Sequence, residues 1–260
     1  MNADIYQHYR PEEQPFIDQV FGWMQQVENR YTPYLSVFLT PRQAMIVEQL
    51  VGSNEELELT MFGGYDGAER KRACLYPPYY EPQLSDYQVA PLKIIFPAKF
   101  SNISHGKILG TLIGAGIDRE RIGDIITDGE DWHVLVDENV KDYFRMHVTK
   151  IGNVGVRLED ISFAELLTSS ESWETITVIA SSLRLDTLLS NVYNFSRQRA
   201  KDSVSSGLVK VNFIEMERSD IQIGVNDIVS LRKYGRFWID SIDGITKKDN
   251  YRLTVNVLQV

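Results

Sequence analysis

The chain has 260 residues, 43% hydrophobic and 24% charged, a balance that can build packed cores and excludes a disordered chain. A single cysteine, Cys74, excludes an intramolecular disulfide, and no apolar run approaches the roughly 18 residues of a membrane helix. The net charge of −9 excludes a uniformly basic nucleic-acid binder, but residues 1–83 and 84–180 are each −6 while residues 181–260 are +3.

The first helix signal is Pro11-Glu12-Glu13, with proline at a first helical position and acids in a first turn. Phe16, Val20, Trp23, Met24 and Val27 follow at helical spacing. Tyr34 to Leu39 reads as a strand. Thr40 reads as the cap of a second helix that starts at Pro41 and buries Ala44, Val47 and Val51. Leu57 to Phe62 and Ala73 to Tyr76 read as strands joined by the turn Gly63-Gly64-Tyr65-Asp66-Gly67. The run Tyr76-Pro77-Pro78-Tyr79-Tyr80-Glu81-Pro82 ends this first α/β domain, residues 1–83.

Residues 84–165 show the order of a ferredoxin-like, RRM-like βαββαβ plait. Its elements are Leu92–Phe96, Lys107–Ile117, Ile122–Thr127, Trp132–Val136, Asn139–Val148 and Val154–Leu158. The strand around Trp132 lacks the basic-Gly-aromatic pattern with which an RRM stacks bases, and acids stand beside it. Trp132 is therefore expected in the core. Asp160 to Val178 reads as a lead into the last domain, residues 181–260.

In that domain Leu185, Leu188, Leu189, Val192 and Phe195 form one helical stripe. Ser196 stands at an N-cap position, Ala200 and Val204 mark a second helix from Arg197 to about Ser205, and Gly207 ends it. Val209, Val211, Ile221, Ile228 and Leu231 read as short strands. Five basic and two acidic residues fall between 181 and 212. Arginines at a helix start meet phosphate well together with the free N–H groups there, and a solvated basic helix face is the competing reading.

The motif order resembles the S4 RNA-binding domain: Leu183-Arg184-Leu185-Asp186-x-x-Leu189, then Ser196-Arg197-x-x-Ala200, then Ser206-Gly207-x-Val209-x-Val211-Asn212. The family pattern is roughly RLDxxL, SRxxA and GxVxVNG. The resemblance puts RNA contacts at Arg184, Ser196, Arg197, Arg199, Lys201 and Asn212, with Lys210 beside them and Asp186 orienting the arginines. Two departures lie in the turns: Phe213 stands where glycine is usual, and Asn226-Asp227 where Gly-Asp is usual.

Further upstream, Phe62-Gly63-Gly64-Tyr65 with Ala68-Glu69-Arg70-Lys71-Arg72, and near the end Tyr234-Gly235-Arg236-Phe237 and Thr246-Lys247-Lys248, resemble YlmH-type proteins along nearly the whole chain. This is a bacterial S4-domain family tied to cell division and to the large ribosomal subunit. The resemblance implies an α+β protein of three small domains. It also implies noncatalytic binding of structured RNA, ribosomal or transfer, with division proteins as further partners. Arg70, Lys71, Arg72 and Arg236 are candidate secondary contacts. The alternative for the first three is a charged hairpin edge. A protein–protein adaptor and an RNA-modifying enzyme remain the alternative functions.

No cofactor or metal is expected. The four histidines are scattered, there is no GxxxxGK[ST] or GxGxxG loop, and Cys74 lacks an evident base. Asp131 and His133 could at most form an acid/base pair in a turn. The N-terminus has no basic-then-apolar leader pattern, so the expected location is the cytoplasm; neither DNA binding nor membrane insertion is expected.

Overall fold

The computed structural model describes residues 6–7, 9–52, 54–97, 103–168 and 173–259; the leader reading of residues 1–5 falls outside them. The chain divides into two compact units, Met1–Ser170 and Glu171–Val260.

In the first unit a 3-10 turn, Pro11–Glu13, leads into α1 (Gln14–Arg30). Its stripe Ile17, Val20, Trp23, Met24 and Val27 is buried. Strand β1 (Tyr34–Leu39) precedes α2 (Pro41–Val51), which Thr40 caps by accepting the Gln43 N–H at 3.3 Å. With β2 (Glu58–Phe62) and β3 (Lys71–Tyr76) they form an antiparallel sheet of order β1-β3-β2. One face of this sheet, with Leu39, Ala73 and Leu75, packs on α1 and α2.

The next elements are β4 (Val89–Ile95), α3 (His105–Gly114), β5 (Ile122–Thr127), β6 (Trp132–Asp137), α4 (Glu138–His147), the small hairpin β7–β8 (Lys150–Ile151 and Val154–Gly155) and β9 (Arg157–Asp160). Their sheet has the order β5-β6-β4-β9, all antiparallel. The expected last strand, Val154–Leu158, is split: Val154 belongs to the hairpin, and Leu158 pairs with Ile94 as an edge strand. Leu92, Ile94, Val134 and Val136 face α3 and α4, and Trp132 packs against the same core.

The opposite face of this sheet lies against the far face of the first one. Val89, Ile126 and Leu135 meet Phe38, Cys74 and Tyr76 in a shared core. Residues 84–165 are therefore joined to residues 1–83 by buried apolar surface. This explains why β3 is buried on both faces and shows no polar alternation. The Gly-Gly turn sits at this junction. Gly64 has φ +109°, and a Cβ there would stand 2.5 Å from Leu135. The Tyr65 hydroxyl and the Glu69 and Arg70 N–H groups all donate to Asp124 of β5, at 2.7–3.1 Å.

The second unit contains β10 (Glu174–Ala180), α5 (Leu185–Val192), α6 (Arg197–Ser205), β11 (Val209–Val211), β12 (Ile214–Glu215), β13 (Ile228–Leu231), β14 (Gly235–Ile245) and β15 (Tyr251–Gln259). They form a six-stranded antiparallel sheet, β10-β15-β14-β13-β11-β12. Leu185, Leu188, Leu189, Ala200 and Val204 of the helices cover one face, over Val209, Val229, Phe237 and Val255. Residues 174–180, read from sequence as a lead-in, are an edge strand paired with β15. Ile221 lies in a loop rather than a strand, and its carbonyl accepts the Leu185 N–H at 2.9 Å.

Candidate nucleic-acid interface

Asp186 is the anchor of the helix face. Its side chain is fully buried at the start of α5. Arg184 donates to it with Nε at 3.1 Å and Nη2 at 2.9 Å, in fork-to-fork fashion. Arg197, from the first turn of α6, reaches back to within 3.6 Å of Asp186 Oδ1 and donates to the Thr187 hydroxyl at 2.6 Å. The hydrogen bond from Arg184 holds the Asp186 carboxyl below the ordinary carboxylate range, against its burial. One buried carboxylate thus fixes two arginines from two helices, while their outer edges stay in solvent at 35% and 55% side-chain exposure.

The local sequence builds this arrangement. Ser196 Oγ accepts the Arg199 N–H at 3.2 Å, so α6 begins where Arg197 is aimed at Asp186. Gly207, at φ +67°, ends the helix as expected. Lys201 lies one turn beyond Arg197 on the same helix face and is exposed. Arg199 rests on aromatic rings, its guanidinium carbon 3.9 Å from the centroid of Phe195. At the start of α5 the N–H groups of Leu185 and Asp186 are taken up by the carbonyls of Ile221 and Ser219.

Three predicted residues stand elsewhere. Asn212 is a turn residue: its amide donates to Asp227 at 2.8 Å and accepts the Ile228 N–H at 3.0 Å, so both ends are engaged within the fold. Lys210 lies between the inward Val209 and Val211 and faces away from the helices. Ser230 joins it by register to Arg236, so these two share the outer face of the sheet. Arg236 lies over Trp173 there, at 5.3 Å.

The two departures from the S4 pattern are resolved by backbone geometry. Asn212 and Phe213, at φ +49° and +69°, form the two-residue turn between β11 and β12, which favours glycine at the second position. Asn226, at φ +65°, takes the conformation a glycine would supply, and asparagine tolerates it best among L residues.

Arg70 and Arg72 correct the expected surface on the first domain. Each is 4% exposed. Arg70 donates to the Phe38 carbonyl at 2.8 Å, and Arg72 to the carbonyls of Ser36 and Gln88, with Asp137 at 3.2 Å. They tie two sheets together, and only Lys71 of the three is partly exposed. The sequence had no signal for this, because the partners are main-chain carbonyls and an acid 65 positions away.

Other chemistry is weakly provided. Cys74 is buried, and burial pushes its thiol up to about 11, the reverse of an activated nucleophile. Asp131 pairs with Lys93 at 2.6 Å while His133 accepts the Leu167 N–H, so the two form no acid/base pair. Among the described residues no group of three or more His, Cys, Asp or Glu could hold a metal ion, and no helix is long and apolar enough to cross a membrane.

Residues 82–165 match the family model described as "Putative RNA-binding domain in YlmH", and residues 12–80 match the model "YlmH, N-terminal". The chain is 36% identical over 252 residues to the "Ribosome-associated protein quality control protein P2" of Bacillus subtilis (strain 168), covering 97% of this chain and 98% of that protein. Among solved structures it resembles the "Cell division protein ylmH from Streptococcus pneumoniae", with 34% identity and a TM-score of 0.55, over 63% of this chain and 99% of that one.

Proposed function

Because this chain belongs to the YlmH family, we propose that it is a noncatalytic RNA-binding protein whose C-terminal unit is an S4-type module. Its ligand is structured RNA of the large ribosomal subunit, with transfer RNA within reach, and its task is quality control of translation. The names of the two relatives support the ribosomal role and a link to division. The observation that carries the reading is the buried carboxylate of Asp186 holding Arg184 and Arg197 with their outer edges open. Such preset arginines suit phosphate oxygens, and shape then supplies much of the recognition of folded RNA.

The β4–β9 sheet reads as a ferredoxin-like plait, but it would not bind RNA as an RRM does. The face on which an RRM stacks bases is covered here by Phe38, Cys74 and Tyr76. The main RNA contact is therefore assigned to the second unit.

Co-sedimentation with large ribosomal subunits across a salt series tests the reading. A binder using about four phosphates shows a log–log slope on the order of −3 to −4. Charge reversal at Arg197 and Arg199 should cut affinity by about a hundredfold, and reversal at Lys210 and Arg236 should weaken it less. Normal co-sedimentation of the Arg197→Glu/Arg199→Glu protein would sink the proposal and favour an adaptor role.

A further inference from the structure

The three arginines of the helix face are held by two different devices. Arg184 and Arg197 share a carboxylate, so part of their charge is already neutralised. Arg199 makes no ion pair among the described residues and is held by aromatic rings instead. Its guanidinium carbon lies 3.9 Å from the Phe195 centroid, within van der Waals contact of the ring face. One terminal nitrogen donates to the Tyr234 hydroxyl, which sets the rotation of the group within its plane. Phe195 and Tyr234 meet edge-to-face at 88° and 4.9 Å. Both contact Tyr193, which contacts the fully buried Phe237. A line of rings thus runs from the core to the surface and ends beneath Arg199.

A phosphate contact needs positive charge and donors, which a lysine also supplies as a point charge. It does not need a flat group backed by a ring. Arg199 is exposed and its guanidinium carbon lies over a ring, an arrangement preset for stacking. Unpaired RNA bases stack on such planes, whereas paired bases inside a helix do not.

We propose that Arg199 is the base-stacking plane of this site, with Phe195 and Tyr234 as its positioning residues. The site then takes an unpaired nucleotide, from a loop or bulge, beside a backbone held by Arg184 and Arg197. This rests on the RNA-binding reading above and adds to it a preference for unpaired nucleotides.

The full-length protein and purified large ribosomal subunits provide the test, by co-sedimentation over a salt series. Arg199→Lys keeps the charge and removes the plane, so binding weakens about tenfold with the salt slope unchanged. Arg197→Lys, at a phosphate position, weakens it less. Tyr234→Phe keeps the ring and removes only the hydroxyl, and gives a smaller loss of about threefold, again with an unchanged slope. If Arg199→Lys binds like the wild type while Arg199→Ala lowers the slope by about one, Arg199 is a phosphate charge and the proposal is overturned. Retained binding by Arg184→Glu/Arg197→Glu would instead overturn the RNA-binding reading itself, a separate outcome.

Discussion

Arg72 in the first unit and Arg197 in the second each lie near a buried aspartate, 3.2 Å from Asp137 and 3.6 Å from Asp186. Their side chains are 5% and 55% exposed. Arg72 also donates to the carbonyls of Ser36 and Gln88, whereas among the described residues Arg197 has the Thr187 hydroxyl besides its acid. A buried acid can therefore either draw an arginine wholly into the fold or hold it by one edge at the surface. Where the other donors point decides between a residue that joins sheets and one left open at the surface. Net basic charge in the sequence does not distinguish them.

The comparison breaks most readily at Arg72. Arg72→Met should destabilise the first unit by about 3 kcal/mol, because it leaves Asp137 buried with Arg121 as its one cationic partner among the described residues. Chemical denaturation measures this, and the folded protein should still co-sediment with ribosomal subunits. The mirror experiment is Arg197→Glu/Arg199→Glu. It should cost about a hundredfold in RNA affinity, roughly 2.7 kcal/mol, and leave the melting temperature near that of the wild type. If Arg72→Met lost RNA binding without losing stability, the distinction between the two arginines would collapse.

Smaller effects sharpen the picture of the second unit. Phe213 stands at φ +69°, so Phe213→Gly should raise stability by about 1 kcal/mol in thermal unfolding. Among the described residues the buried Tyr193 hydroxyl has no hydrogen-bond partner, and burial pushes its pKa up. Tyr193→Phe should therefore stabilise by up to about 1 kcal/mol; a loss would mean the hydroxyl is satisfied in solution. The smallest effect is a pH dependence. The hydrogen bond from Arg184 lowers the folded-state pKa of Asp186, so its contribution is present above the unfolded value of about 3.9 and is lost as pH falls through the folded value. The stability gap between wild type and Asp186→Asn should narrow below about pH 4, and a constant gap would contradict this account.

Much of the local structure was legible before folding. The stripe Val20, Trp23, Met24 and Val27, the Thr40-Pro41 helix start, the Ser196 cap and the Gly207 stop are signals within a few residues of the elements they govern, although Ile17 and not the expected Phe16 is the buried residue that begins the stripe. The burial of Arg70 and Arg72 was not, because their acceptors on β1 and before β4 become neighbours only when the two sheets form and pack together. The strand β10 was missed for a similar reason: its partner is β15, about 80 positions further along the chain. The sequence reading grouped Arg184, Asp186 and Arg197 with Lys210 and Asn212; the structure brings the first three together and holds the last two elsewhere. Strand alternation turns Lys210 to the other face, and the turn takes up Asn212.

The sequence by itself determined the helices, their caps, the charge asymmetry and the order of motifs, because these depend on backbone propensity and spacing over a few residues. The tertiary structure alone decided which cations remain available to a ligand. It closed the open face of the β5-β6-β4-β9 sheet with the first sheet, drew Arg70 and Arg72 inward, and left Arg184, Arg197 and Arg199 at the surface. That outcome follows from sheet pairing and from the desolvation of each charge, and both are set by residues far apart in the chain.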